Sequence, residues 1–274
     1  MALLTNLLSQ PFLLRALIVG ILVALCAALL GVSLVLKRFS MIGDGLSHVG
    51  FGAISFALVL NLAPLYVAVP VMILAAFFLL HISQNGRIKA DAAIAMLSSG
   101  SIAIGLVVIS LAKGSSADID SYMFGSILST TQQDMILSIV LSVVVLCLFV
   151  LLYNRLFSVT FDENSATASG VRVKRYNVLL SVLTAITIVV GMRLMGTLLI
   201  SGLIIFPALS SMRLFRHYRS VVISSAVLSV FCFVLGFGMS YWFSTPVGAS
   251  VILINLVVFI FSCVVSFGVR RCSK

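Results

Sequence analysis

Asp44 and His48 stand four residues apart in the segment KRFSMIGDGLSHVGFGAISF (37–56). That spacing puts both side chains on one face of a helix. A carboxylate and a neutral imidazole together suit zinc or manganese better than sodium or an organic solute. An acid within or beside an apolar run is costly to bury and marks a functional site by default. Gly43, Gly45, Gly50 and Gly52 surround the pair and permit close helix approach or a local break. A second reading is open: Asp44, only six residues past Arg38, caps a helix, and His48 is its buried hydrogen-bonding partner. Two ligands do not fill a tetrahedral zinc site, so a metal held here needs donors from elsewhere in the fold.

Other candidates have plainer explanations. Asp118 and Asp120 lie in KGSSADIDSYMFGSILSTTQQD (113–134), where they would attract cations to an entrance or merely solvate an acidic loop. His81 falls at the end of an apolar run and His217 in a basic stretch, as interfacial residues do. Asp91 follows GRIK and is explained by helix capping. The five cysteines include no CxxC pair and read as small buried hydrophobes. There is no GxxxxGK[ST] phosphate loop, so the chain cannot hydrolyse ATP by that route, and neither HExxH nor GxSxG occurs.

The elements that must position Asp44 and His48 are membrane spans. Of 274 residues, 62% are hydrophobic and 9% charged, against about 25% charged in a soluble domain. Nine apolar runs approach the length of a spanning helix: 12–36, 44–62, 64–83, 91–112, 135–154, 177–192, 194–212, 220–242 and 248–269. The sixth and seventh are short and separated only by GMRLMG, so they are two spans or a hairpin dipping into the membrane. Pro70 and Pro207 are expected to kink the third and seventh. The N-terminus lacks the basic start and cleavage site of a signal peptide, and the first run reads as a permanent span.

Charge fixes the count. With nine spans and the N-terminus outside, Lys37–Arg38, Arg87–Lys89, Arg155, Arg172–Arg175, Arg213–Arg219 and Arg270–Lys274 fall inside. Only Arg15, Lys113 and Arg193 fall outside, a strong positive-inside bias. The net charge of +10 is scattered in twos and threes between apolar runs, which argues against nucleic acid as a partner. The prediction is an all-α polytopic membrane protein, one domain over 1–274 with about nine spans (eight to nine). Its N-terminus is outside and its C-terminus cytoplasmic. The outer loop is 113–134, containing the apolar stretch SYMFGSIL as a short or re-entrant helix, and the long inner loop is 153–177.

The chain resembles, over nearly its whole length, the membrane permease subunit of zinc/manganese-type ABC importers, the metal-ion ABC-3 permease family. RFSMIGDGLSHVGFGAI is similar to the family's second-helix motif and DIDSYMFGSILS to its outer-loop motif. FDENSATASGV is similar to the cytoplasmic segment that docks on the ATPase, LMGTLLISGLIIFPALSS to the late-helix motif, and STPVGASVIL to the turn into the final span. All five occur in family order.

The resemblance implies a transporter subunit without its own ATPase, in the bacterial cytoplasmic membrane, with no tightly bound cofactor. Its cargo would be Zn²⁺, or next Mn²⁺. Its partners would be cytoplasmic ABC ATPase subunits, an extracytoplasmic metal-binding protein, a second permease copy in a homodimer, and membrane lipid. Asp44 and His48 become the metal-contacting pair in the translocation path. Phe161, Asp162, Glu163, Ala166 and Gly170 become the element coupled to the ATPase. The span boundaries put Asp44 near the inner end of its helix; displaced boundaries or an irregular start of that helix inside the bilayer would carry it deeper. A secondary cation transporter or channel is the alternative. It needs more than one intramembrane charge pair and no FDENSATASGV loop. A membrane metalloenzyme would show more than three histidines.

Overall fold

The computed structural model describes residues 11–84, 90–111 and 132–272, and all the regular structure among them is helical. The helices are α1 (Pro11–Leu36), α2 (Ile42–Val59), α3 (Pro64–Gln84), α4 (Ala90–Leu111), α5 (Gln132–Leu151), α6 (Tyr153–Phe161), α7 (Glu163–Ala168), α8 (Val173–Met195), α9 (Thr197–Leu214), α10 (Tyr218–Phe243) and α11 (Val247–Cys272). Lipid offers backbone groups no hydrogen-bond partner, so apolar runs of this length must bond internally as helices. Among the described residues eight helices are long and apolar enough to cross a membrane, and α9 is a shorter apolar helix. The total agrees with the eight to nine expected.

The span ends shift by a few residues from the sequence reading, and three of the differences bear on the site. The second helix begins at Ile42 instead of Asp44, so Asp44 lies inside its first turn. The inner loop is not plain coil, for it contains α6 and α7. The GMRLMG separator is mostly helix: α8 runs through Met195, and the break is Gly196 alone, at φ 86. There the chain reverses. A Cβ on Gly191 of α8 would stand 2.3 Å from the Ile200 side chain of α9, whereas nine residues along one straight helix would separate them by about 13 Å. Pro70 and Pro207 both sit inside helices that continue through them.

Among the eight spanning helices α2 is the least apolar and the most buried, while α11, α4 and α5 are the most exposed. Their outer faces carry large apolar side chains such as Leu253, Phe261, Met96 and Val140, as surfaces meeting lipid or another membrane chain do. The most extensive interface is α2 on α4. Gly52 makes it possible: a Cβ there would lie 2.9 Å from the Ser101 carbonyl oxygen. Hydroxyls link other helices across the membrane, Ser229 donating to the Ala24 carbonyl at 2.9 Å and Ser225 to that of Ala28 at 3.4 Å. Cys26, Cys147, Cys232 and Cys263 are unbridged; Cys26 and Cys232 are buried as expected, but Cys147 lies on the outer face of α5.

Candidate metal site and coupling segment

The α1–α2 connection sets where Asp44 sits. Helix α1 closes with Phe39 N–H donating to the Leu34 carbonyl at 2.9 Å and Arg38 N–H to that of Val35 at 3.1 Å. Arg38 takes the left-handed conformation, φ 61, that this ending demands. Ile42 N–H then donates to the Phe39 carbonyl at 3.1 Å, and α2 starts at once. Asp44 is its third residue. The N-cap is Met41, with no side-chain hydrogen bond, so the reading of Asp44 as the cap is replaced by a first-turn carboxylate, favoured there by the helix dipole. Asp91, likewise, is not a cap but lies in the first turn of α4.

One turn on, His48 Nε2 stands 3.5 Å from Asp44 Oδ1, too long for an ordinary hydrogen bond. It matches a different geometry. Zinc held at about 2.0–2.2 Å from one oxygen and one nitrogen at the tetrahedral angle separates them by about 3.4 Å. The His48 side chain is 14% exposed and that of Asp44 36%, so the pair is enclosed but reachable. Ser47 Oγ donates to the Asp44 backbone carbonyl at 2.8 Å, leaving the carboxylate free of that bond. Gly43 faces Ser201 and Ile204 of α9, and Gly45 faces Ile94 of α4. Among the described residues no group of three or more His, Cys, Asp and Glu could hold a metal ion. A metal ion held by this pair would find no third His, Cys, Asp or Glu beside it among the described residues. Asp118 and Asp120, with the SYMFGSIL stretch, lie outside the described residues.

The 161–170 segment has a local job for each of its singled-out residues. Asp162, extended at φ −151, caps α7, its Oδ1 accepting from Asn164 N–H at 2.9 Å and Ser165 N–H at 3.2 Å. Ala166 is fully buried and packs against Val159 and Val171. Gly170, at φ 79, ends α7, with Val171 N–H donating to the Ala166 carbonyl at 3.0 Å. Phe161 closes α6 with 73% of its surface exposed, paired with Phe157 at 5.6 Å between ring centroids.

Glu163 meets two residues that nothing in the sequence singles out. Its Oε1 accepts from Lys37 Nζ at 2.7 Å and from Asn177 Nδ2 at 3.1 Å, and Lys37 Nζ also donates to Asn177 Oδ1 at 2.5 Å. Burial works to raise the Glu163 pKa, but the hydrogen bonds from Lys37 and Asn177, with the Lys37 charge, outweigh it and hold the carboxyl below its usual 4.5. The sequence marks Lys37 only as an inside charge. It lies 126 residues from Glu163, beyond any spacing rule.

A model of the ABC 3 transport family matches residues 9–266. The chain is 33% identical to the manganese import system permease protein ScaB of Streptococcus parasanguinis, over 92% of this chain and 89% of that protein. It is 27% identical to the high-affinity zinc uptake system membrane protein ZnuB of Haemophilus influenzae, over 90% of this chain and 95% of that protein. Among solved structures, PsaBC from Streptococcus pneumoniae in complex with Fab superposes with a TM-score of 0.85 at 31% identity, covering 95% of this chain and 94% of that one. An inward-facing putative metal-chelate type ABC transporter shares the fold, with a TM-score of 0.74 at 18% identity.

Proposed function

The chain belongs to the ABC 3 transport family, and from that premise we propose that it is the membrane permease of an ATP-driven importer for a divalent transition metal, zinc or manganese. Relatives named for manganese and for zinc import support the cargo class. One observation carries the reading: the 3.5 Å separation of His48 Nε2 and Asp44 Oδ1 on the most enclosed helix, which suits a shared metal ion. No established secondary-transporter feature competes with it, and family membership gives the channel alternative no support.

In this account the N-terminus is outside and the C-terminus cytoplasmic, α9 makes the ninth crossing, and 1–274 is one permease domain. An extracytoplasmic metal-binding protein delivers the ion near loop 113–134, where Asp118 and Asp120 favour cations. Asp44 and His48 replace part of its hydration shell. Two copies of the chain line the path, so the second pair completes a site that one chain leaves unfinished. ATP hydrolysis occurs on separate cytoplasmic subunits seated on Phe161, Asp162, Glu163, Ala166 and Gly170. Their closure switches the helices between outward- and inward-open packings. The incomplete ligand set per chain suits an ion that must also leave.

The deciding experiment is complementation. A bacterial strain lacking this gene should fail to grow when zinc or manganese is chelated, and the native chain should restore growth. Growth of the deletion strain equal to its parent's under both limitations contradicts the proposal; rescue under only one names the metal.

A further inference from the structure

Lys37 is the last residue before the αL turn that leads into α2, and its side chain is only 7% exposed. Its ammonium closes a triangle with Glu163 of α7 and Asn177 of α8. We propose that Lys37 is a positioning residue that transmits displacement of the 161–170 segment to α2, and through it to Asp44 and His48. This rests on the coupling role proposed for 161–170.

Three observations make the connection a transmitting one. Charge-assisted hydrogen bonds of 2.7 and 2.5 Å tie the Lys37 head to both partners, so the head cannot lag behind α7. Backbone bonds hold both ends of the turn: Lys37 N–H donates to the Ser33 carbonyl at 3.1 Å, Arg38 N–H to Val35 at 3.1 Å, Phe39 N–H to Leu34 at 2.9 Å and Ile42 N–H to Phe39 at 3.1 Å. A pull on Lys37 therefore reaches Ile42, two residues before Asp44, and is not taken up by slack chain. On the far side Ile42 is buried in the core beside Leu79 and Ile94. A small apolar pocket beside it is lined by Lys37, Phe39, Ile42, Leu79, Ile94 and Asn177, so the triangle borders the packing of α3 and α4 as well as α2. Helix α2 makes no substantial direct contact with α6 or α7; the packing route between them runs through α8, the helix that carries Asn177.

The test uses the whole importer (permease, ATPase subunits and binding protein) in proteoliposomes, reading metal uptake and ATP hydrolysis together. Lys37→Met is the informative variant, because Glu163 is 53% exposed and water solvates it once the lysine is gone. ATPase subunits should co-purify at native stoichiometry and hydrolyse ATP, while metal transported per ATP falls about tenfold, the scale of a moderate coupling free energy. Lys37→Arg, which keeps the charge, should recover most of the ratio. A native ratio in Lys37→Met overturns the inference. Should Lys37→Met fail to assemble, Asn177→Leu removes the bridging amide and reads the same ratio: a fall of similar size supports the role of Lys37, and a native ratio overturns it. The native complex in the same vesicles separates the two claims. If it takes up no metal, the transport reading falls; if it does and the variants match it, only the role of Lys37 falls.

Discussion

Gly31 of α1 lies against the backbone of α9 at Ile204: a Cβ built on Gly31 would stand 2.0 Å from the Ile204 carbonyl oxygen. A flexible side chain can swing away, but a helix carbonyl cannot, so any larger residue must separate the two helices. Gly31→Ala is expected to cost about 1–3 kcal/mol, as overpacking does, and to lower the thermal midpoint of the detergent-purified chain. Gly202→Ala is the control, because its nearest obstacle is the flexible Ile252 side chain at 3.2 Å. An unchanged midpoint for Gly31→Ala contradicts the α1–α9 approach.

Asp162 caps α7 through two backbone N–H groups. Asp162→Ala should destabilise this short helix by about 1 kcal/mol, whereas Asp162→Asn keeps a capping oxygen and most of the effect. The measurement is recovery of the ATPase subunits on immobilised permease. Loss with alanine and retention with asparagine is expected; equal recovery from both contradicts a role for the cap.

Gly170 faces no atom within 4 Å of where a Cβ would sit, yet its φ is 79. The penalty for Gly170→Ala is thus conformational alone, about 1–2 kcal/mol. Gly170→Asn should be milder, because asparagine tolerates the left-handed region. Proteolytic nicking within 161–172 reports the difference, rising most in the alanine variant. Identical protection in all three would contradict the assigned α7 ending.

The Glu163 junction carries a pH signature. Its folded pKa lies below the usual 4.5, so its stabilisation is complete above that value and is lost as pH falls through the lower, folded one. The difference in thermal midpoint between native chain and Glu163→Gln should therefore be constant near neutral pH and shrink in acid. A difference that grows on acidification has the wrong sign for this junction.

The spans were legible because lipid demands long apolar runs, and their order survived with boundaries shifted by a few residues. Helices α6 and α7 were not, since a nine-residue helix and a six-residue one with polar faces resemble a loop in composition. The second helix starts two residues before the apolar run that marked it; of the two roles open to Gly43 and Gly45, they take close approach, against α9 and α4. Asp44 and His48 were legible from spacing alone, and the i,i+4 pair does meet across one turn. Lys37, Glu163 and Asn177 were not legible as a group. Only the folded chain brings together a residue after α1, one in α7 and one in α8.

The central claim is that Asp44 and His48 handle the transported ion. The most direct measurement is ATP-dependent uptake of radioactive zinc and manganese by proteoliposomes holding the full importer, comparing native permease with the Asp44→Asn, His48→Ala double variant. Removing both donors should cut uptake by about a hundredfold or more, in line with the several kcal/mol that metal–ligand contacts supply, with assembly and ATPase association unchanged. Uptake by the double variant at the native rate would contradict the account and leave the pair as helix-terminal packing.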